Sequence, residues 1–185
     1  MTCTQILNAM ATVKNTIMIS TLIKITALIL ITTLNACSKY DFRVNNAVIY
    51  EPATLFNDFA LADKNLHTCV TQTILDQDIT SQEQLSRLIC TSAGIKSLMG
   101  LATFTQLQQL NLNSNQLQTL NGIASLSKLE ILDVSENRLI DAGALLSLLS
   151  LQRLNIEDNS ALSCNDLNQL AQHSQAQLKL PKQCI

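Results

Sequence analysis

Three segments of this chain repeat one residue pattern at a fixed spacing. They are Leu107-Gln-Gln-Leu110-Asn-Leu112-Asn-Ser-Asn115-Gln-Leu117, Leu129-Glu-Ile-Leu132-Asp-Val134-Ser-Glu-Asn137-Arg-Leu139 and Leu151-Gln-Arg-Leu154-Asn-Ile156-Glu-Asp-Asn159. Their first leucines stand at 107, 129 and 151, so the period is 22 residues. A unit this short cannot bury an apolar face within itself, so it must stack on its neighbours. The core of such a stack is aliphatic, which fits a chain with 3% aromatic residues and no Trp.

The frame extends beyond the three clear copies. Counting back 22 positions from Leu107 gives Leu85, then Leu88, Cys90, Ala93 and Ile95, with Cys90 in a leucine position and Ala93 in the asparagine position. The connecting halves keep register as Leu98, Leu101 and Phe104, then Leu120, Ile123 and Leu126, then Ala142, Leu145 and Leu148. Apolar residues three apart suit short 3₁₀ turns better than a long α-helix. After Asn159 the frame runs on through Ala161, Cys164, Leu167 and Leu170 and fails at His173. Four units therefore fit between 85 and 172.

The pattern L-x-x-L-x-L-x-x-N-x-L resembles the leucine-rich repeat family in its short, bacterial, internalin-like class. The resemblance implies an α/β repeat solenoid. It would have a parallel sheet on its concave side, 3₁₀ or irregular turns on its convex side, and a cap at each end. In a strand alternate side chains face opposite ways, so Leu110 and Leu112, Leu132 and Val134, and Leu154 and Ile156 point inward. Asn115, Asn137 and Asn159 turn the chain out of each strand, where a column of amides can bond neighbouring backbone groups. In this family such an asparagine ladder is structural.

Both ends carry cap signals. In 63–84, Leu66, Cys69, Val70 and Ile74 lie near helical spacing, with Asp63 as N-cap. Thr80-Ser81-Gln-Glu-Gln84 reads as a second helix start before Leu85. This segment is similar to the helical N-terminal cap of bacterial leucine-rich repeat proteins. Residues 173–185, with Pro181 and Cys184, form the C-terminal cap. Setting aside Cys3 and Cys37 leaves Cys69, Cys90, Cys164 and Cys184, which allow three pairings. Three stacking steps separate Cys90 in unit one from Cys164 in unit four by roughly 14 Å, beyond the Cα separation of about 7 Å a disulfide allows. In the stack the pairs are therefore Cys69–Cys90 and Cys164–Cys184, each fastening a cap to the sheet. Zinc is the rival use of these cysteines, but no C-x-x-C occurs.

The N-terminus reads as an export signal. Lys14 and Lys24 precede the apolar run Ile25-Thr-Ala-Leu-Ile-Leu-Ile-Thr-Thr-Leu34, then Asn35-Ala36-Cys37. As a helix that run spans about 15 Å, half of the roughly 30 Å hydrocarbon core, so cleavage is favoured over an uncleaved anchor. Leu34-Asn35-Ala36-Cys37 resembles a bacterial lipobox, which implies cleavage at 36 and lipidation of Cys37; an ordinary signal peptide with an incidental cysteine is the alternative. By the same resemblance Ser38 favours the outer membrane of a Gram-negative cell, either leaflet face being open. Translation can start at Met1, Met10 or Met18. Residues 37–62 lack the repeat and read as a lipidated tether, partly ordered at its end.

Functional expectations follow from the outward strand positions. These are Arg87, Ile89 and Thr91; Gln109, Asn111 and Asn113; Ile131, Asp133 and Ser135; and Arg153, Asn155 and Glu157. Family resemblance implies binding of a protein partner there, by a monomer. No aromatic lies among them, so the usual interface anchor is missing. All 14 acidic residues follow Cys37, giving that part 10 − 14 = −4, and no basic stripe for nucleic acid exists. Catalysis finds no constellation: His67 and His173 fall in opposite caps, and there is no Gly-rich phosphate loop. Neither cofactor nor metal is expected. A membrane-anchored interaction protein is the leading expectation. The alternatives are a structural envelope component without a soluble ligand and a surface-exposed, internalin-like host-binding protein.

Overall fold

The structure is a computed structural model and describes residues 42–44, 47–50 and 53–184. Cys37 and the export signal lie outside the described residues. The chain divides into two units, Met1–Ala53 and Thr54–Ile185. In the first, β1 (Phe42–Val44) pairs antiparallel with β2 (Ala47–Tyr50) as a hairpin.

The second unit is a stack of strands and turns whose order follows the chain. Strands β3 (Arg87–Ile89), β4 (Gln109–Asn111), β5 (Ile131–Asp133) and β6 (Arg153–Asn155) pair in parallel, each shifted by one period. Leu88, Leu110, Leu132 and Leu154 therefore face one another in register and are buried. Behind them Cys90, Leu112, Val134 and Ile156 form a second buried column. On the far side short 3₁₀ turns at Leu101–Thr103, Asn121–Ile123 and Gly143–Ser147 carry Leu101, Ile123 and Leu145 inward. Each fully buried aliphatic side chain contributes roughly 1.5–3 kcal/mol relative to exposure.

Three local features were not foreseen from the pattern. A fifth parallel strand, β7 (Gln177–Lys179), pairs with β6 through Arg153↔Gln177 and Asn155↔Lys179. Its offset is 24 residues (177 − 153), so the 22-residue frame misses it, although Leu178 and Leu180 alternate as strand residues should. The fourth connecting segment is not a 3₁₀ turn but an α-helix, α2 (Asn165–His173). The inward residue after Asn159 is also Leu162, buried, whereas Ala161 is exposed. The frame slips by one there because alanine is too small to fill the leucine's place.

The N-terminal cap is larger than the segment from 63 onward. Residues 54–62, expected as the partly ordered end of a tether, lie against the stack, with Leu55, Phe56, Phe59 and Leu61 packed on the core. Phe56 and Phe59 meet Phe104 edge-on at 6.3 and 5.6 Å between ring centroids, a favourable arrangement of ring quadrupoles. The backbone is tied by Phe56 N–H to Ile79 O and Ala62 N–H to Met99 O. A Cβ on Gly100, at φ +95°, would lie 2.1 Å from Ala60 O, and one on Gly122 would lie 2.2 Å from Leu98 O. The strap thus stands to the first repeat's turn as that turn stands to the second. It fills the place of a missing preceding repeat.

Helix α1 (Lys64–Asp76) completes the cap, burying Leu66, Val70 and Ile74 at helical spacing. Asp63 joins it to the stack with both carboxylate oxygens. Oδ1 accepts from the Asn65 and Leu66 N–H groups, and Oδ2 from Lys96 and Ser97 in the first convex turn. Burial raises the Asp63 carboxyl pKa, but these backbone donors, Lys96 foremost, outweigh it and hold the group below its ordinary value. Stability from this contact is present above the unfolded-chain value and is lost as pH falls through the lowered folded one. Asp63→Ala is expected to cost about 2 kcal/mol near neutral pH. The difference from wild type should shrink below about pH 4, as read by urea unfolding across pH; a pH-independent difference would contradict this account. The second predicted helix start is only a 3₁₀ turn, Gln82–Gln84, and Ser81 makes no side-chain cap bond. Gln84 Oε1 instead accepts from the Thr80 N–H at 2.7 Å.

Disulfides fasten both ends. Cys69 of α1 bonds Cys90, at the end of β3, and Cys164 before α2 bonds Cys184 after β7, with Cα separations of 5.9 and 5.3 Å. The four cysteines for which zinc was the rival use are thereby consumed in covalent links.

Candidate functional site

The parallel pairing sets outward side chains in straight columns. The first runs Arg87, Gln109, Ile131, Arg153 and Gln177, and the second Ile89, Asn111, Asp133, Asn155 and Lys179. Gln177 and Lys179 come from the strand that sequence reasoning missed. A third set, Thr91, Asn113, Ser135 and Glu157, follows at the strand ends.

The second column is less free than its outward position implies. Asn111 Oδ1 accepts from the Asn113 N–H, Asp133 Oδ1 from Ser135, and Asn155 Oδ1 from Glu157, so each closes a tight side-chain turn two residues long. Cross-links join the turns: Asn155 Nδ2 donates to Asp133 Oδ2 at 3.2 Å, and Asn113 Nδ2 to Ser135 Oγ at 2.9 Å. Ser135 also donates to Asp133 Oδ1 and is 5% exposed. Ser135 is therefore buried beneath Asn113, Asp133 and Asn155 at the end of the middle strand, and braces them. What Asn111, Asp133 and Asn155 leave facing outward is the remainder of each polar group, held in a fixed place.

Charge is divided across the strands. Arg87 and Arg153 stand at the amino ends. Glu136, Glu157 and Asp158 stand beyond the carboxyl ends. The Ser114 hydroxyl, 2.6 Å from Glu136 Oε2, and Asn113 beside it hold the Glu136 carboxyl below its ordinary value.

Beneath this face runs the asparagine column. Asn137 Oδ1 accepts from the Leu117 N–H at 3.0 Å, and Nδ2 donates to the carbonyls of Leu112, Val134 and Ser135. Asn159 repeats the pattern with Leu139, Val134, Ile156 and Glu157. Asn115 does so with Ile95, Ala93, Cys90, Leu112 and Asn113. Ala93 serves in unit one because no earlier turn requires an amide; Asn65 of α1 bonds Gly94 O instead. The residue before each such position, Ser92, Ser114, Glu136 and Asp158, has φ between 52° and 57°. This recurrent left-handed turn has no glycine to announce it.

The columns, the ladder and the period together match known architecture. No family model and no curated protein matches the chain. Among solved structures, internalin C2 from Listeria monocytogenes is similar at 22% identity and TM-score 0.54, with 64% of this chain and 55% of that one covered. The fold is a leucine-rich repeat solenoid. A second internalin from the same organism is 21% identical over 63% of this chain and 42% of its own, with a TM-score of 0.45. The chain thus spans about half the length of the structures it resembles. Among the described residues, the parallel strands bring Arg87, Ile89, Gln109, Asn111, Ile131, Asp133, Arg153 and Asn155 onto one face. His67 and His173 lie on α1 and α2, at opposite ends.

Proposed function

We propose that this chain is a lipid-anchored leucine-rich repeat protein of the bacterial cell envelope that recognises a protein partner through its concave sheet. It acts as a binding protein and not as an enzyme. The observation that carries this reading is the ordered polar face itself. Its side chains are held by mutual hydrogen bonds before any partner arrives, so little ordering entropy is lost on binding. Anchoring is supported by the lipobox-like Leu34-Asn35-Ala36-Cys37, and outer-membrane placement by Ser38. More than one acyl chain is needed for stable membrane attachment, and triacylation of Cys37 would meet that need. Among the described residues no helix is long and apolar enough to cross a membrane.

The test places a photo-crosslinking residue in living cells at Gln109 on the concave side and at Ser125 on the convex side. A discrete adduct from Gln109 and none from Ser125 is expected. Equal adducts from both positions would remove the concave assignment. In the same cells Cys37→Ala should abolish incorporation of an alkyne-tagged fatty acid, and undiminished labelling would remove the anchor.

A further inference from the structure

The repeat supplies its own controls, and two surface positions break it in one place. The residues at 102, 124 and 146 are Ala, Ala and Leu, and those at 105, 127 and 149 are Thr, Ser and Leu. Leu146 is 38% exposed and Leu149 is 91% exposed. The solenoid does not need them, since the other units fold with small or polar residues there. Burying such a side chain is favourable, and at Leu149 that gain is left untaken.

Both leucines flank a cleft of about 840 Å³ at the last units, a size that suits a bound side chain or short segment. Its lining is apolar at Leu145, Leu148, Leu151 and Leu170 and carries uncharged polar groups that include Ser174 and Gln177. Arg153 is the one charged residue lining it. Arg153 and Gln177 are also the last two members of the first concave column. The cleft is therefore continuous with the sheet face, which itself carries no aromatic side chain.

We propose that this cleft is the anchor subsite of the concave face. It takes a protein segment that places an apolar side chain against Leu146 and Leu149 and a neighbouring carboxylate on Arg153. Buried apolar anchors carry most of the energy of typical interfaces, and a guanidinium fork matches a carboxylate in two hydrogen bonds. An acyl chain fits less well, because the polar groups of Ser174, Gln175 and Gln177 and the charge of Arg153 would meet it without partners. The proposal rests on the concave-face reading above and adds the chemistry of the partner to it.

The test is a phage-displayed peptide selection on the purified full chain, followed by fluorescence polarisation with the selected peptides. The key variant is Leu146→Ala with Leu149→Ser, the residues found at 124 and 127, so the fold is kept and an unchanged melting temperature confirms it. Selected peptides should share an apolar residue within a few positions of Asp or Glu, and this variant should weaken them at least tenfold. Arg153→Gln should weaken acidic peptides at least tenfold and their amide analogues little. Failure to enrich any peptide sensitive to the leucine variant overturns the cleft. If Gln109→Ala with Ile131→Ser then abolishes peptide binding, the concave reading survives without it; if neither variant matters, both fall. Sedimentation that shows a dimer dissolved by Leu149→Ser assigns the cleft to a second copy and overturns the proposal. Displacement of a fluorescent fatty acid with no requirement for Arg153 does the same for a lipid.

Discussion

Asn137→Ala is expected to destabilise the solenoid by about 3 kcal/mol. The amide is 8% exposed, sits in the middle of the stack and serves four backbone groups in two consecutive units. Alanine leaves the Leu117 N–H unsatisfied in a dry interior, which costs about 1–3 kcal/mol, and takes one donor from each of three carbonyls. The carbonyls are not orphaned, because Leu112 O keeps the Asn115 amide, Val134 O the Asn159 amide and Ser135 O the Ser114 N–H. Asn137→Asp should not rescue, since an ionised carboxylate has no N–H to give and would be buried with its charge. Asn155→Ala is the control. Its amide is half-buried on the sheet face, and its loss should cost about 1 kcal/mol or less. Urea unfolding at neutral pH measures all three. A loss at Asn137 no larger than that at Asn155 would show that the ladder is ornament and that the leucines alone hold the turns.

Removal of either terminal disulfide is expected to cost about 3 kcal/mol, with the loss confined to its own end. The linked cysteines are 21 and 20 residues apart in sequence, and closing a loop of that size restricts the unfolded chain by about that amount. Confinement follows from the architecture, because each unit touches only its neighbours and an end can open alone. In Cys69→Ser with Cys90→Ser, hydrogen exchange should quicken through α1 and β3 and leave β5 and β6 protected. Cys164→Ser with Cys184→Ser should loosen α2 and β7 and leave β3 and β4 alone. Quickening spread evenly over all strands would mean the stack opens as one cooperative block.

Much of this was legible in the residues, for a definite reason. A strict period makes every unit meet the same neighbours, so one register choice assigns all inward and outward positions from 85 to 159. The cysteine pairs followed from the same register, because stack distance alone kept the two ends apart. Where the period breaks, legibility breaks with it. β7 lies 24 residues after β6, because α2 takes a longer path than a 3₁₀ turn. Leu162 displaces Ala161 from the core because volume, not count, decides which side chain fills a hole.

Other features carry no local signal at all. Phe56 and Phe59 show no periodicity; they are ordered because Phe104 occurs where units two and three carry Leu126 and Leu148, giving their rings a partner. Ser135 reads as outward by alternation, yet the side chains of Asn113, Asp133 and Asn155 close over it. The left-handed turns at Ser114, Glu136 and Asp158 are held by the ladder that follows them and need no glycine.

The amino-acid sequence by itself determined the solenoid, the direction of each strand residue and the places of the two disulfides, because all three depend only on spacing. Tertiary structure alone decided which outward residues are free, how the ends are closed and where an apolar cleft opens beside the sheet. Those depend on which side chains meet across units, and contacts between different copies of a repeat are not written in the period.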